Sequence, residues 1–188
     1  RIAAEAAERS ITAVRNSDGL LPLRAQRALS IIYSDDFDPI AGRTFQTKLA
    51  TGIRRLDTER IDGRVDAERL SAIAALADSA DVVLFSPFIR VVAGKDGLGI
   101  APHVADAINA IAARRPTVIT AFGNPYVLQQ FPQIATYVLA WAPWEPAQTA
   151  AARALLGRAP VQGRLPIPIP PYHRIGDGVS IGAVSAAR

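Results

Sequence analysis

The sequence has no cysteine, no methionine, two histidines and only two lysines, Lys48 and Lys95. The missing cysteine excludes disulfides, thiolate nucleophiles and thiolate-ligated metals together, while leaving the compartment open. The two histidines, His103 and His173, stand in separate contexts, so neither a histidine metal site nor a Ser–His pair is expected. No metal and no cofactor are expected. No apolar run reaches the length of about eighteen residues that a membrane helix needs, so no membrane span is expected. No segment carries the charged start, apolar middle and small-residue cleavage site of a signal peptide. A chain that opens on Arg1 and holds no methionine is expected to be a processed or trimmed piece, its address lost. One-signed charge is scarce too. The net charge is +4, because the arginines are interspersed with acids, as in Arg54, Arg55, Asp57, Glu59, Arg60, Asp62 and Arg64. A nucleic-acid binder concentrates one sign in a stripe with interleaved aromatics, so no nucleic-acid partner is expected.

What is present is a globular composition. With 188 residues, 49% of them hydrophobic and 20% charged, the chain can bury a continuous core and is too apolar for disorder. A single domain over residues 1–188 is expected. Residues 2–9 are alanine-rich and fit a helix. Ile11, Ala13 and Val14 suggest a short extended piece before the turn chemistry of Asn16, Ser17, Asp18 and Gly19, and residues 20–23 form an apolar plug. Residues 28–33 (ALSIIY) read as a buried parallel strand. Residues 39–50 can form a helix, weakened by Gly42, and a poorer strand follows at 52–56. Asp66 suits the N-cap of a helix over 67–79, with Leu70, Ile73, Ala74 and Ala77 on one face. A third strand spans 81–86. Pro102 suits the first turn of a helix reaching Arg114, with Val104, Ala107, Ile108 and Ile111 inward. Strand 117–121, helix 125–131, strand 137–141 and helix 147–156 follow, the last ended by Gly157. This alternation predicts an α/β fold: a three-layer sandwich with five or six mostly parallel strands and helices on both faces.

In open α/β sheets, ligands gather at the carboxyl ends of the strands. The loop at 87–101 (PFIRVVAGKDGLGIA) holds the candidate substrate-rim residues Arg90, Lys95 and Asp96, with glycines that allow close backbone approach. It matches neither phosphate fingerprint. Gly94-Lys95 is followed by Asp96, no glycine stands five places before Gly94, and Pro102 occupies the place of a third glycine after Gly97 and Gly99. Contact with another domain is its expected use. Gly178, Ser180 and Gly182 spell a nucleophile pattern, but no clear strand precedes them and no histidine follows. Paired carboxylates perform glycoside hydrolysis, yet no glutamate lies between Glu68 and Glu145. Glu145, flanked by Trp144 and Pro146, is accounted for by the positive end of the helix that follows it. No catalytic residue is assigned.

Several stretches, taken in order, resemble the C-terminal α/β sandwich domain of family 3 glycoside hydrolases. They are 10–16 (SITAVRN) with 20–23 (LLPL), 80–84 (ADVVL), 122–127 (FGNPYV) with Phe131 and Pro132, and 151–166 (AARALLGRAPVQGRLP). In the last, Gly163-Arg164-Leu165-Pro166 stands where the family usually has Gly-Lys-Leu-Pro. The resemblance spans nearly the whole chain. It implies that residues 1–23 lead in from an upstream catalytic (β/α)8 barrel of the same polypeptide. It also implies that 172–188 form a C-terminal tail, with room for a further domain beyond.

In such enzymes the barrel supplies the nucleophilic aspartate and most of the sugar site. In the glucosidase branch, the sandwich domain adds a glutamic acid/base from the loop after the strand resembling 81–84. Here that loop, 86–100, contains no glutamate. The departure favours the β-N-acetylhexosaminidase-like branch, whose acid/base is a barrel histidine, and the 123–126 turn (GNPY) resembles that branch too. The resemblance therefore implies an auxiliary, noncatalytic domain of a bacterial retaining β-glycosidase. It would pack on the barrel and meet carbohydrate only through it, with export from the cytoplasm by family analogy. A free-standing carbohydrate- or nucleotide-binding module using the same strand-end loop is the alternative.

Overall fold

The computed structural model describes residues 2–34, 39–89 and 99–184. Helix α1 (Ile2–Ser10) leads into β1 (Thr12–Asn16), and β2 (Arg27–Ser34), α2 (Arg43–Leu49), β3 (Arg55–Ile61) and α3 (Ala67–Asp78) follow. Then come β4 (Val82–Ile89), α4 (Pro102–Ala112), β5 (Thr117–Gly123), a 3₁₀ turn (Pro125–Gln130), β6 (Thr136–Leu139) and α5 (Glu145–Leu155). Among the described residues the strands form one sheet in the order β1-β6-β5-β4-β2-β3. Every neighbouring pair is parallel except β1 with β6. The expected three-layer α/β sandwich is the fold.

The continuous apolar runs are explained by burial on both faces. In β4, Val83, Phe85 and Ile89 enter the core under α3 and α4, while Val82, Leu84 and Phe88 enter the core under α2 and α5. Phe88 stacks on Phe122 with ring centroids 4.2 Å apart, and Phe122 meets Phe45 edge-on at 5.2 Å. Each such fully buried side chain stabilises the fold by about 1.5–3 kcal/mol, so the centre of the sheet carries most of the driving force. Asp66 caps α3 as expected, accepting a 2.8 Å hydrogen bond from the Arg69 N–H. On α4 it is Ala105, with Val104, Ile108 and Ile111, that is fully buried, and Ala107 is only partly covered.

Several boundaries differ from the sequence reading. The poorer strand lies at Arg55–Ile61 and not at 52–56. Ile53 is instead bound to the end of α2 through its N–H to Leu49 O, and the true strand is an edge strand whose charged alternation hides it. β4 runs on through Pro87 to Ile89, because its ladder to β5 skips Ser86 and Pro87 and resumes at Phe88 opposite Phe122. α2 starts at Arg43, since Gly42 sits in the left-handed region at φ 71°. A side chain on Gly42 would meet Ile32 Cδ1 at 2.6 Å, so the sheet leaves no room for one. Finally, residues 125–130 form a short 3₁₀ turn, and α5 begins two residues early, with proline in its first turn.

The ends of the described chain meet at the β1 edge. α1 packs on α5 through Ala7 and the Arg153–Glu8 ion pair at 2.6 Å. After Gly157 (φ 69°) the chain forms a strap that bridges Val161 to Ile181 and returns to β1. There Val179 N–H bonds Ala13 O at 2.7 Å and Gly163 N–H bonds Ile11 O at 3.2 Å.

Candidate functional site

The carboxyl ends of β2, β4, β5 and β6 converge on one rim. The candidate rim residues Arg90, Lys95 and Asp96 lie outside the described residues, but the supports of their loop are described. On one side, the Asn124 N–H bonds Ile89 O at 3.2 Å. On the other, the Gln130 amide grips Ile100 twice, accepting from its N–H at 2.7 Å and donating to its carbonyl at 2.8 Å. Asn109 Nδ2 holds Gln130 O at 2.9 Å, and Ala101 N–H donates to the Tyr33 hydroxyl at 3.2 Å. Gly99 is packed against the Gln130 amide so closely that a side chain there would collide with it.

The turn after β5 is equally fixed. Gly123 takes φ 106°, a value that L side chains rarely adopt, and buried Asn124 accepts from the Tyr126 N–H at 3.0 Å. Between this turn and the start of α4 lies a groove of about 640 Å³, lined by Ile100, Pro102, Asn124, Tyr126 and Gln129 among others.

A second rim groove of about 510 Å³ lies between α2 and α5, with Phe88 in its wall. Gln148 pins its two sides together. Its Oε1 accepts from the Phe45 N–H at 3.0 Å and its Nε2 donates to Pro143 O at 2.7 Å, although the residue is only 8% exposed. Trp144 stands at the mouth, 67% exposed. Three residues earlier, Trp141 takes φ 61° and turns its indole inward, donating to Ser10 O at 2.9 Å. A third groove, about 540 Å³, opens at the other end of the sheet, by the amino ends of β5 and β6, beside Asp18, Arg115, Pro116 and Ile134.

The remaining candidates are scattered. His103 Nε2 lies 3.0 Å from Val65 O on the surface, and His173 lies in the strap with Nδ1 3.5 Å from Asp177. Ser180, of the nucleophile-like pattern, is in the strap as well, its hydroxyl accepting from Arg164 at 2.8 Å. Among the described residues no three His, Asp or Glu side chains are grouped to hold a metal. A glycosidase general acid needs a raised pKa. Asp62 is shifted the opposite way, held below the usual carboxylate range by hydrogen bonds from Arg64. Asp81 is also held low, by the backbone N–H groups of Arg27 and Gln26. The pinning amides Gln130 and Gln148 had no sequence signal, since a single glutamine at a loop foot or helix start fits no periodic pattern.

Comparison with known proteins agrees with this picture. The family model described as the glycosyl hydrolase family 3 C-terminal domain matches residues 11–177. No curated protein matches the sequence at a significant level. Among solved structures, the fold is similar to that of a family 3 β-N-acetylglucosaminidase from Paenibacillus sp., with TM-score 0.70 and 21% identity over 85% of this chain and 30% of that one. It is also similar to a fungal multi-domain family 3 β-N-acetylglucosaminidase, with TM-score 0.73 and 23% identity over 92% of this chain and 19% of that one. A β-glucosidase from Listeria innocua in complex with isofagomine gives TM-score 0.70 and 20% identity over 89% of this chain and 26% of that one. The chain thus spans less than a third of each of these enzymes.

Proposed function

The chain belongs to the glycosyl hydrolase family 3 C-terminal domain family, and on that premise we propose that it is the auxiliary domain of a β-glycosidase of the N-acetylhexosaminidase-like kind. It packs with its strand-end rim toward a (β/α)8 barrel, and the barrel carries the nucleophile and the acid/base. The observation that carries the reading is the loop 86–100, which holds no glutamate where the glucosidase branch has its acid/base. Asp81 does not replace the missing acid, because it stands at the amino end of β4, the end of the sheet away from the rim, with its carboxylate accepting from the Gln26 and Arg27 N–H groups. Arg90, Lys95 and Asp96 are the proposed rim contacts to carbohydrate, and carbohydrate reaches them through the barrel. The test is direct: the 188-residue chain is assayed alone with aryl β-glucosides and aryl N-acetyl-β-glucosaminides. No turnover is expected, and robust turnover of either substrate would overturn the auxiliary role.

A further inference from the structure

Helices α2 and α5 also approach each other at their last turns, at the end of the sheet away from the rim. A groove of about 310 Å³ opens there, with Lys48 and Thr51 on one side and Thr149, Arg153, Leu156 and Arg158 on the other. Arg153 pairs with Glu8 at 2.6 Å and donates to Arg158 O at 3.3 Å. Arg158 reaches across the groove, its Nη2 2.7 Å from Thr51 O and its Nη1 2.5 Å from Thr51 Oγ1. The Lys48 ammonium bonds to no described residue. Cations in the last turn of a helix ordinarily face its free carbonyls. Here those carbonyls are taken. Lys48 O accepts from the Thr51 N–H and hydroxyl, Leu49 O from the Gly52 and Ile53 N–H groups, and Arg153 O from the Arg158 N–H. Ala154 O accepts from the Gly157 N–H and Leu155 O from the Leu23 N–H. The groove is therefore rich in donors and poor in acceptors: the Lys48 ammonium, the remaining guanidinium N–H groups and the Thr149 hydroxyl have no partner to satisfy them. Three cations against the one carboxylate bonded to them, Glu8, leave two positive charges. Residues 185–188 (SAAR), which follow the strap, add no acidic side chain.

From this combination we infer that the Lys48–Arg153–Arg158 groove is a binding site for a phosphate dianion, either the free ion or the head of a small phosphate monoester. The dianion matches the two uncompensated charges, whereas a single carboxylate would leave one of them unmatched and a neutral ligand both. Lys48 meets the phosphate oxygens as a point charge, the guanidinium groups donate to them as planar forks, and the Thr149 hydroxyl adds a neutral donor. The volume is at the small end of ligand sites, enough for a phosphate with a short ester arm lying on Leu156. The bond of Arg158 to Thr51 already joins the two walls, so binding orders little besides the Lys48 side chain. The site rests on charge and geometry alone and is independent of the glycosidase reading.

The test is a titration of the isotopically labelled 188-residue chain with inorganic phosphate and with glycerol phosphate, followed by amide NMR shifts at pH 7.5 and at an ionic strength held constant with chloride. Saturable shifts centred on residues 48–52 and 149–158 are expected with at least one of the two. The affinity should fall about fivefold or more in Lys48→Met and rise about twofold or more in Glu8→Gln, which removes the competing carboxylate. Lys48 is exposed and its side chain holds nothing in the fold, so the unligated spectrum of Lys48→Met should match the parent. Either order of the two ligands supports the site, and the order tells the free ion from an ester. Absence of saturable shifts, the same shifts with chloride alone, or an affinity unaltered by Lys48→Met would each overturn it.

Discussion

The two edges of the sheet solve the same problem by different means. An unpaired edge strand offers N–H and C=O groups to any passing chain. The β1 edge is closed by covering: the strap seats Val179 and Gly163 on β1, and Arg15 donates to Pro132 O at 2.8 Å and Ile134 O at 3.1 Å beneath the Tyr172 ring. Among the described residues no strand pairs with the outer side of β3, and that edge is made unattractive by charge. Asp57 lies between Arg27 at 3.2 Å and Arg55 at 3.4 Å, and Glu59 pairs with Arg69. Closure depends on buried contacts and fails when one of them is lost. Charge protects through many weak, exposed contacts and should fail only when several are lost together.

This contrast can be broken first at Gly163. A side chain there would meet Ile11 O and Thr12 Oγ1 at 2.5 Å. Gly163→Val should lift the strap from β1 and destabilise the fold by about 2–3 kcal/mol, read as a lowered urea midpoint and new protease cleavage within 161–181. An unchanged midpoint would show that covering is not what holds this edge. Arg15→Met removes two charge-assisted hydrogen bonds and the ring contact, and should cost about 1.5–2 kcal/mol by the same measurement. On the open edge, Asp57→Asn should change stability by no more than about 0.5–1 kcal/mol, with the difference shrinking in high salt. The combined change Arg55→Val, Asp57→Val and Glu59→Val should leave the monomer folded yet drive concentration-dependent association, visible by light scattering. A variant that stays monomeric would argue that charge is not the guard.

The smallest effect should be a pH dependence confined to the covered edge. His173 has its pKa lowered, mainly by burial and then by the Arg15 charge, with the Asp177 contact and charge opposing. Tyr172 is the other side chain of this cluster, with its ring on Arg15. Because the unfolded chain then takes up the proton first, stability is complete above the ordinary histidine value of 6.5 and falls as the pH drops through it toward the lower folded value. His173→Asn should flatten that slope in pH-dependent urea melts. A slope unchanged by the substitution would assign it to other groups.

The edges also mark where sequence reading succeeds and stops. β2, β4 and β5 were legible because burial on both faces demands uninterrupted apolar residues, as in Ile31 and Ile32 or Val83 and Leu84. β3 was misplaced because nothing about Arg55, Asp57 and Glu59 is apolar. Its identity as a strand comes from pairing with β2, a long-range fact with no local trace. The end of β4 was cut short at Pro87, where a residue without an N–H would ordinarily stop a strand, yet the ladder resumes after it. Of the rim, the turn at Gly123 and Asn124 was readable from residue types. The grooves were not, since Trp144, Arg43 and Ser34 approach one another only after the sheet assembles.

The antiparallel seam between β1 and β6 also sets a timetable. Ser10 and Trp141, joined through the indole, are 131 positions apart, and among the described residues β6 is the one strand of the sheet that β1 neighbours. On a ribosome, β2, β3 and β4 can associate as they emerge, whereas β1 must wait, unpaired, for most of the chain to be made. Its shortness, with the arginine next to its last residue, keeps it from pairing wrongly in that interval. The first strand of this sheet in chain order is thus among the last to join it, and the strap that covers it can settle only afterwards.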